Sequence, residues 1–143
     1  MTASHVELAR NPLIATDVDV NGVHTLKVTG VTTGLTPLTA YAAGHVVLST
    51  ENNGVFTNEG AAGLATFTLP AASAGLTYIF IVENINGVKV QAVGDDTINL
   101  AGMETSAAAG FIQSVIVGST ITLVAINATE WMTIALNGTW SAT

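Results

Sequence analysis

The chain predicts an all-β fold, an antiparallel β-sandwich of jelly-roll type with an extended N-terminal arm. Three observations carry this. Short runs rich in Val, Ile, Thr and Phe recur along the chain, broken by Gly, Asn and Asp. No stretch sustains the 3.6-residue apolar spacing of an amphipathic helix. Asn-Gly occurs four times, at Asn21-Gly22, Asn53-Gly54, Asn86-Gly87 and Asn137-Gly138, and this dipeptide suits type I′ hairpins, whose two central residues need positive φ.

Residues 1–15, around Pro12, read as the arm, and residues 16–143 as one domain. "TDVDV-NG-VHTLKV" predicts a first hairpin and "HVVLSTENNGVF" a second. Between them "TGVTTGLTPLTAYAAG" reads as a loop, in which "PLTAYAAG" has room for a helical turn or two, as does "SAAAG" further on. "LATFTL" (64–69) alternates, with Ala65, Phe67 and Leu69 on one face and Leu64, Thr66 and Thr68 on the other. The clearest hairpin is "TYIFIVENINGVKVQAV": a strand over 77–84, a tight turn, and a return over 88–93. Further strands are predicted over 96–101, 111–117, 120–127 and 131–136, with a short one around Trp140. In "INATEWMTIALNGTW" Glu130 falls in the loop of a closing hairpin, and Asn137-Gly138 turns the chain into the last strand. A joint near 58–63 does not divide the chain, because sixty residues of broken strands have little core of their own. No internal repeat is evident.

One strand is unusual. Ile79 and Ile81 share one face while Tyr78, Phe80 and Val82 share the other, so both faces are apolar. In a sandwich only one face meets the core. The other needs a cover: a second chain, the arm, or the domain's own loops.

Only 9% of the 143 residues are charged and 49% are hydrophobic, against about 25% charged in ordinary domains. A surface this thin in charge favours association, and the chain reads as a homo-oligomer or docked subunit. The net charge is −7, with Arg10, Lys27 and Lys89 the only basic residues besides histidine. Nothing there neutralises a phosphate backbone, so nucleic acid is an improbable partner. Residues 60–82 and 105–129 lack charge over membrane-spanning lengths, but Pro70, Gly75, Gln113, Ser114, Gly118 and Asn127 cut them into strand-sized pieces; no membrane partner is expected. The N-terminus shows no secretory signal. Without cysteine there is neither a disulfide framework nor a thiolate metal site.

Candidate chemistry is sparse. The histidines, His5, His24 and His45, sit in no catalytic frame, and no nucleophile elbow, zinc-binding helix motif or phosphate loop is present. The chain reads as no enzyme, with no cofactor. Asp95-Asp96, and Asp17 with Asp19, have oxygen ligands to offer a hard cation, but a turn Asp accepting backbone N–H bonds is the simpler account. The sequons at Asn127 and Asn137 bear only on a secreted eukaryotic protein. Trp131, Trp140, Tyr41 and Tyr78 offer aromatic faces for sugar stacking, yet tryptophans in neighbouring strands are more often packing or subunit-interface anchors. Trp131, Trp140, Tyr78, Phe80 and Phe111 are the anchors expected here.

The ordered set Phe67 to Pro70, Gly94-Asp95-Asp96-Thr97-Ile98, Ile112-Gln113-Ser114, Val117-Gly118-Ser119, Leu123, Glu130-Trp131 and Gly138-Thr139-Trp140 spans residues 60–141. It resembles a β-rich domain of bacteriophage virion proteins, including head-decoration (cement) proteins and tail or fibre components. The resemblance implies a capsid-surface protein, commonly a trimer, that docks on the major capsid protein and staples neighbouring capsomers, with the arm as a contact. The alternative it leaves is a tail-fibre module that binds host glycans. A 143-residue chain starting at Met is expected to have no shaft segment, which favours the shell.

Overall fold

The β-branched runs form strands, and the strands fall into two layers. The computed structural model describes residues 38–143; the arm, the first predicted hairpin with Asn21-Gly22, and the candidates His5, His24, Asp17 and Asp19 lie outside them. In chain order the strands are β1 (Leu38–Ala40), β2 (Gly44–Val46), β3 (Gly54–Thr57), β4 (Ala65–Thr68), β5 (Thr77–Ile81), β6 (Val88–Gln91), β7 (Thr97–Leu100), β8 (Met103–Glu104), β9 (Phe111–Ser114), β10 (Thr120–Ala125), β11 (Glu130–Asn137) and β12 (Ser141–Ala142). A seven-stranded sheet has the order β1-β3-β5-β10-β11-β7-β8, and a five-stranded sheet β12-β9-β6-β4-β2. The fold is all-β and arranged as a sandwich. Among the described residues the only helical element is a 3-10 turn over Ser49–Glu51. "PLTAYAAG" holds β1, and "SAAAG" is a turn in which Ala108 and Ala109 take positive φ.

Pairing is mixed, where the sequence predicts antiparallel pairing throughout, as in a jelly roll. β1 to β6 alternate between the two sheets, so each strand lies parallel to the one two before it: β1 with β3, β3 with β5, β2 with β4, β4 with β6. The connections cross from layer to layer, and a crossing chain returns to its sheet in the same direction. The registers align Leu38, Val55 and Ile79 across one sheet, and Gly44, Thr66 and Lys89 across the other. This is a structural repeat whose unequal loops hide it from the sequence. In the second half β10 pairs antiparallel with β5 and β11, and β9 with β6 and β12, while β11 and β7 pair in parallel.

The expected hairpin over 77–93 is therefore corrected. β5 and β6 lie in different sheets, and Asn86-Gly87 sits in an arch between them. The buried side chain of Asn58 holds that arch: its Oδ1 accepts from Glu83 N and Asn84 N at 2.8 and 2.9 Å, and its Nδ2 donates to Asn84 O and Gly87 O at 3.0 and 2.9 Å. Four bonds from one amide replace the ladder a hairpin would supply. "HVVLSTENNGVF" is corrected in the same way, since β2 and β3 belong to different sheets, and Asn137-Gly138 carries the chain from β11 across to β12. The closing hairpin of β10 and β11 forms as expected, with a bulge at Thr122/Leu123.

Alternation fills the core. Phe56, Phe80 and Ile121 are in register on the inner face of the larger sheet and are buried together with Phe67, Val88, Val90 and Ile112 of the smaller one. Phe56 and Phe80 stack at 5.6 Å, and Phe67 meets Phe80 at 5.3 Å, spacings at which aromatic pairs attract.

Candidate interaction surfaces

Four of the five predicted anchors pack inside their own domain. Trp131, Tyr78 and Phe80 are fully buried, and Trp140 is 7% exposed, with its indole N–H donating to Asn137 O at 3.3 Å. Tyr78 packs on Trp131 at 5.6 Å and donates its hydroxyl to Leu48 O at 3.0 Å. The indole N–H of Trp131 is buried with no acceptor among the described residues. None of these rings presents a face to a sugar or a neighbour. Phe111 is the exception: half-buried, it carries the Lys89 ammonium 4.1 Å from its ring centroid, a cation–π contact.

The polar candidates are absorbed by local structure. Asp96 is buried and accepts from Ala72 N at 2.7 Å, while Asp95 is exposed. Asn127 makes an Asx turn, its Oδ1 accepting from Thr129 N at 2.8 Å, and its amide donates to Glu130 at 3.2 Å. Asn137 donates to Gly118 O at 3.1 Å. Among the described residues no three His, Asp or Glu side chains gather as metal ligands.

His45 stands in a cluster the sequence did not disclose. Its ring stacks on Tyr41 at 4.0 Å and meets both Glu51 carboxylate oxygens through Nε2, at 3.1 and 2.9 Å. Glu51 Oε2 also accepts from Leu48 N at 2.7 Å. Burial opposes ionisation of Glu51, but the Leu48 N–H, His45 and Tyr41 outweigh it and hold the carboxyl below its ordinary 4.5. Burial first, and then the Glu51 charge, push the Tyr41 and Tyr78 hydroxyls above their ordinary 10.0. This cluster ties the 3-10 turn to β2. Nothing about it requires a substrate.

The larger signal is the contrast between the outer faces of the two sheets. On the five-stranded sheet the outward positions are mostly polar, Thr66, Thr68, Lys89, Gln91 and Gln113, with Val46 and Phe111 among them. On the seven-stranded sheet the register aligns Val55, Ile79, Thr122 and Ala135 in one outward row, and Val124 with Met132 in another. Ile81 continues the face along β5. The row of Val55, Ile79, Thr122 and Ala135 carries no charge; the row of Val124 and Met132 runs on through Asn99 to Glu104 at the β8 edge, and Glu130 shares that outward face at the start of β11. The doubly apolar strand read from the sequence is β5, and among the described residues nothing covers its Ile79 and Ile81 completely.

No protein-family model matches the chain, and no curated protein matches it.

Proposed function

We propose that this chain is a non-catalytic assembly subunit, a phage capsid-decoration (cement) protein that self-associates and docks on the outside of the head. The observation that carries the reading is the uncharged apolar stretch over β3, β5 and β10 on the outer face of the seven-stranded sheet. In a protein of net charge −7, two copies approaching through charged faces repel one another. Through Val55, Ile79, Ile81, Thr122 and Val124 they bury apolar area with Glu104 and Glu130 left toward the β8 and β11 side. The sequence resemblance adds the virion surface as the place and three as the expected number of copies.

Docking of this kind needs no chemistry. A subunit that binds the assembled shell, and not its separated parts, stabilises the shell by mass action. The glycan-binding alternative draws no support from Trp131, Trp140 and Tyr78, which are buried, and the half-buried Tyr41 already stacks one face on His45.

Localisation by electron microscopy of particles carrying a tagged copy tests this reading. Density on the outer surface of the head, removed when the chain is deleted, is the expected result. Density confined to the tail, or none on the particle, would overturn it.

A further inference from the structure

At one end of the sandwich the arch between β5 and β6 lies beside the loop between β9 and β10. Four aliphatic side chains stand in solvent there: Ile85, Val115, Ile116 and Val117, between 48% and 76% exposed. Val115 and Ile116 border one depression, with Thr139 and Ser141, and Val117 borders a second. A Cβ added at Gly87 would meet Ser114 O at 2.7 Å and Val115 Cγ1 at 2.8 Å, and Gly118 N donates to Val82 O at 2.8 Å. Beside Val117 opens a depression of about 490 Å³, bounded by Ile81 and Val82 and walled by Glu59 and Glu83.

This end is held in shape before anything binds. Asn58 fixes the backbone of the arch through its four hydrogen bonds. The Thr57 hydroxyl donates to Glu83 Oε2 at 2.7 Å and accepts from Glu59 N at 3.1 Å, so one residue ties both acidic walls. Pre-ordered side chains lose little entropy on docking.

We propose that this tip is a docking site for a partner protein's segment that combines aliphatic side chains with Lys or Arg. Aliphatic groups seat on Val117 and Ile81, and the cation lies between Glu59 and Glu83. Charge decides the occupant. A second copy of this chain would bring the same two carboxylates against themselves. An anionic lipid surface is repelled for the same reason. Lys89, the only Lys or Arg among the described residues, is engaged with Phe111; Arg10 and Lys27 lie outside them, and occupancy by that segment of a copy is the outcome that the self-association measurement detects. The tip borders the outer sheet face at Ile81, and the inference stands whether or not the chain belongs to a capsid.

The test pans a random linear peptide library on the full chain, with depletion on the Ile116→Asp variant. Enriched peptides are expected to carry aliphatic residues next to Lys or Arg, to bind I116D at least about tenfold more weakly, and to weaken as salt rises. Val117→Ser should weaken them too. The double variant E59Q/E83Q, whose side-chain amide oxygen at position 83 still accepts from Thr57, should bind several-fold more weakly and lose the salt dependence. These positions are exposed, so thermal midpoints should stay at the wild-type value. Enriched peptides without basic residues, binding indifferent to I116D, or no enrichment at all would overturn the proposal. So would I116D-sensitive binding to phosphatidylcholine vesicles, with or without phosphatidylserine, which would assign the tip to a membrane. Loss of self-association in I116D would assign it to a second copy and overturn it as well.

Discussion

Asn58 is buried, and each half of its amide makes two hydrogen bonds to a backbone 25 to 29 residues away. Asn58→Ala leaves those backbone groups without partners in a buried site, at an expected cost of roughly 3 kcal/mol in chemical unfolding. Asn58→Asp keeps the two accepted bonds but sets a buried carboxylate oxygen against the Asn84 and Gly87 carbonyls, and should cost at least as much. Trp131→Ala should cost roughly 3–5 kcal/mol through the cavity it leaves beside Tyr78. Glu51 makes a pH prediction. Its folded pKa is depressed, so its contribution is full above the unfolded value near 4.5 and is lost as pH falls through the folded one. Denaturant midpoints measured above and below that window should fall less in Glu51→Gln than in the wild type. Trp131 was legible as an anchor because a lone large aromatic in an alternating strand has few other uses. Asn58 was not, because in "NEGAAG" it looks like any turn residue and its partners lie in a distant arch.

At the level of the element, the sequence reads strands well and connections poorly. The alternation in 64–69 and 120–127 leads directly to β4 and β10, because burial of every second side chain is local information. Whether a turn folds back within a sheet or crosses to the other is decided by partners elsewhere. Asn86-Gly87 has the composition of a hairpin turn, yet β5 finds better neighbours in β3 and β10, and its Phe80 faces Phe67 across the core. The arch can be tested at its glycine. Gly87 has φ +86 and sits against Ser114 and Val115, so Gly87→Ala combines backbone strain with a clash and should cost roughly 2 kcal/mol or more. Gly63 has open space and no positive φ, so Gly63→Ala should be near neutral. Equal thermal midpoints for the two variants would contradict the arch.

The described residues form a sandwich whose five-stranded sheet is mostly polar outside and whose seven-stranded sheet has an apolar, uncharged stretch over β3, β5 and β10. The low charge of the chain points to association, and Ile79 and Ile81 mark the strand proposed to lie beneath the contact. What the sequence could not foretell was the row itself. Val55, Thr122 and Ala135 become neighbours of Ile79 only through one parallel and two antiparallel pairings that join segments far apart in the chain. The central claim, that copies of the chain meet through this face, is tested most directly by sedimentation velocity on the wild type and on Ile79→Glu/Val124→Glu. The wild type should sediment as an oligomer at micromolar concentration, and the double variant as a folded monomer. A monomeric wild type, or a double variant that assembles as the wild type does, would contradict the account.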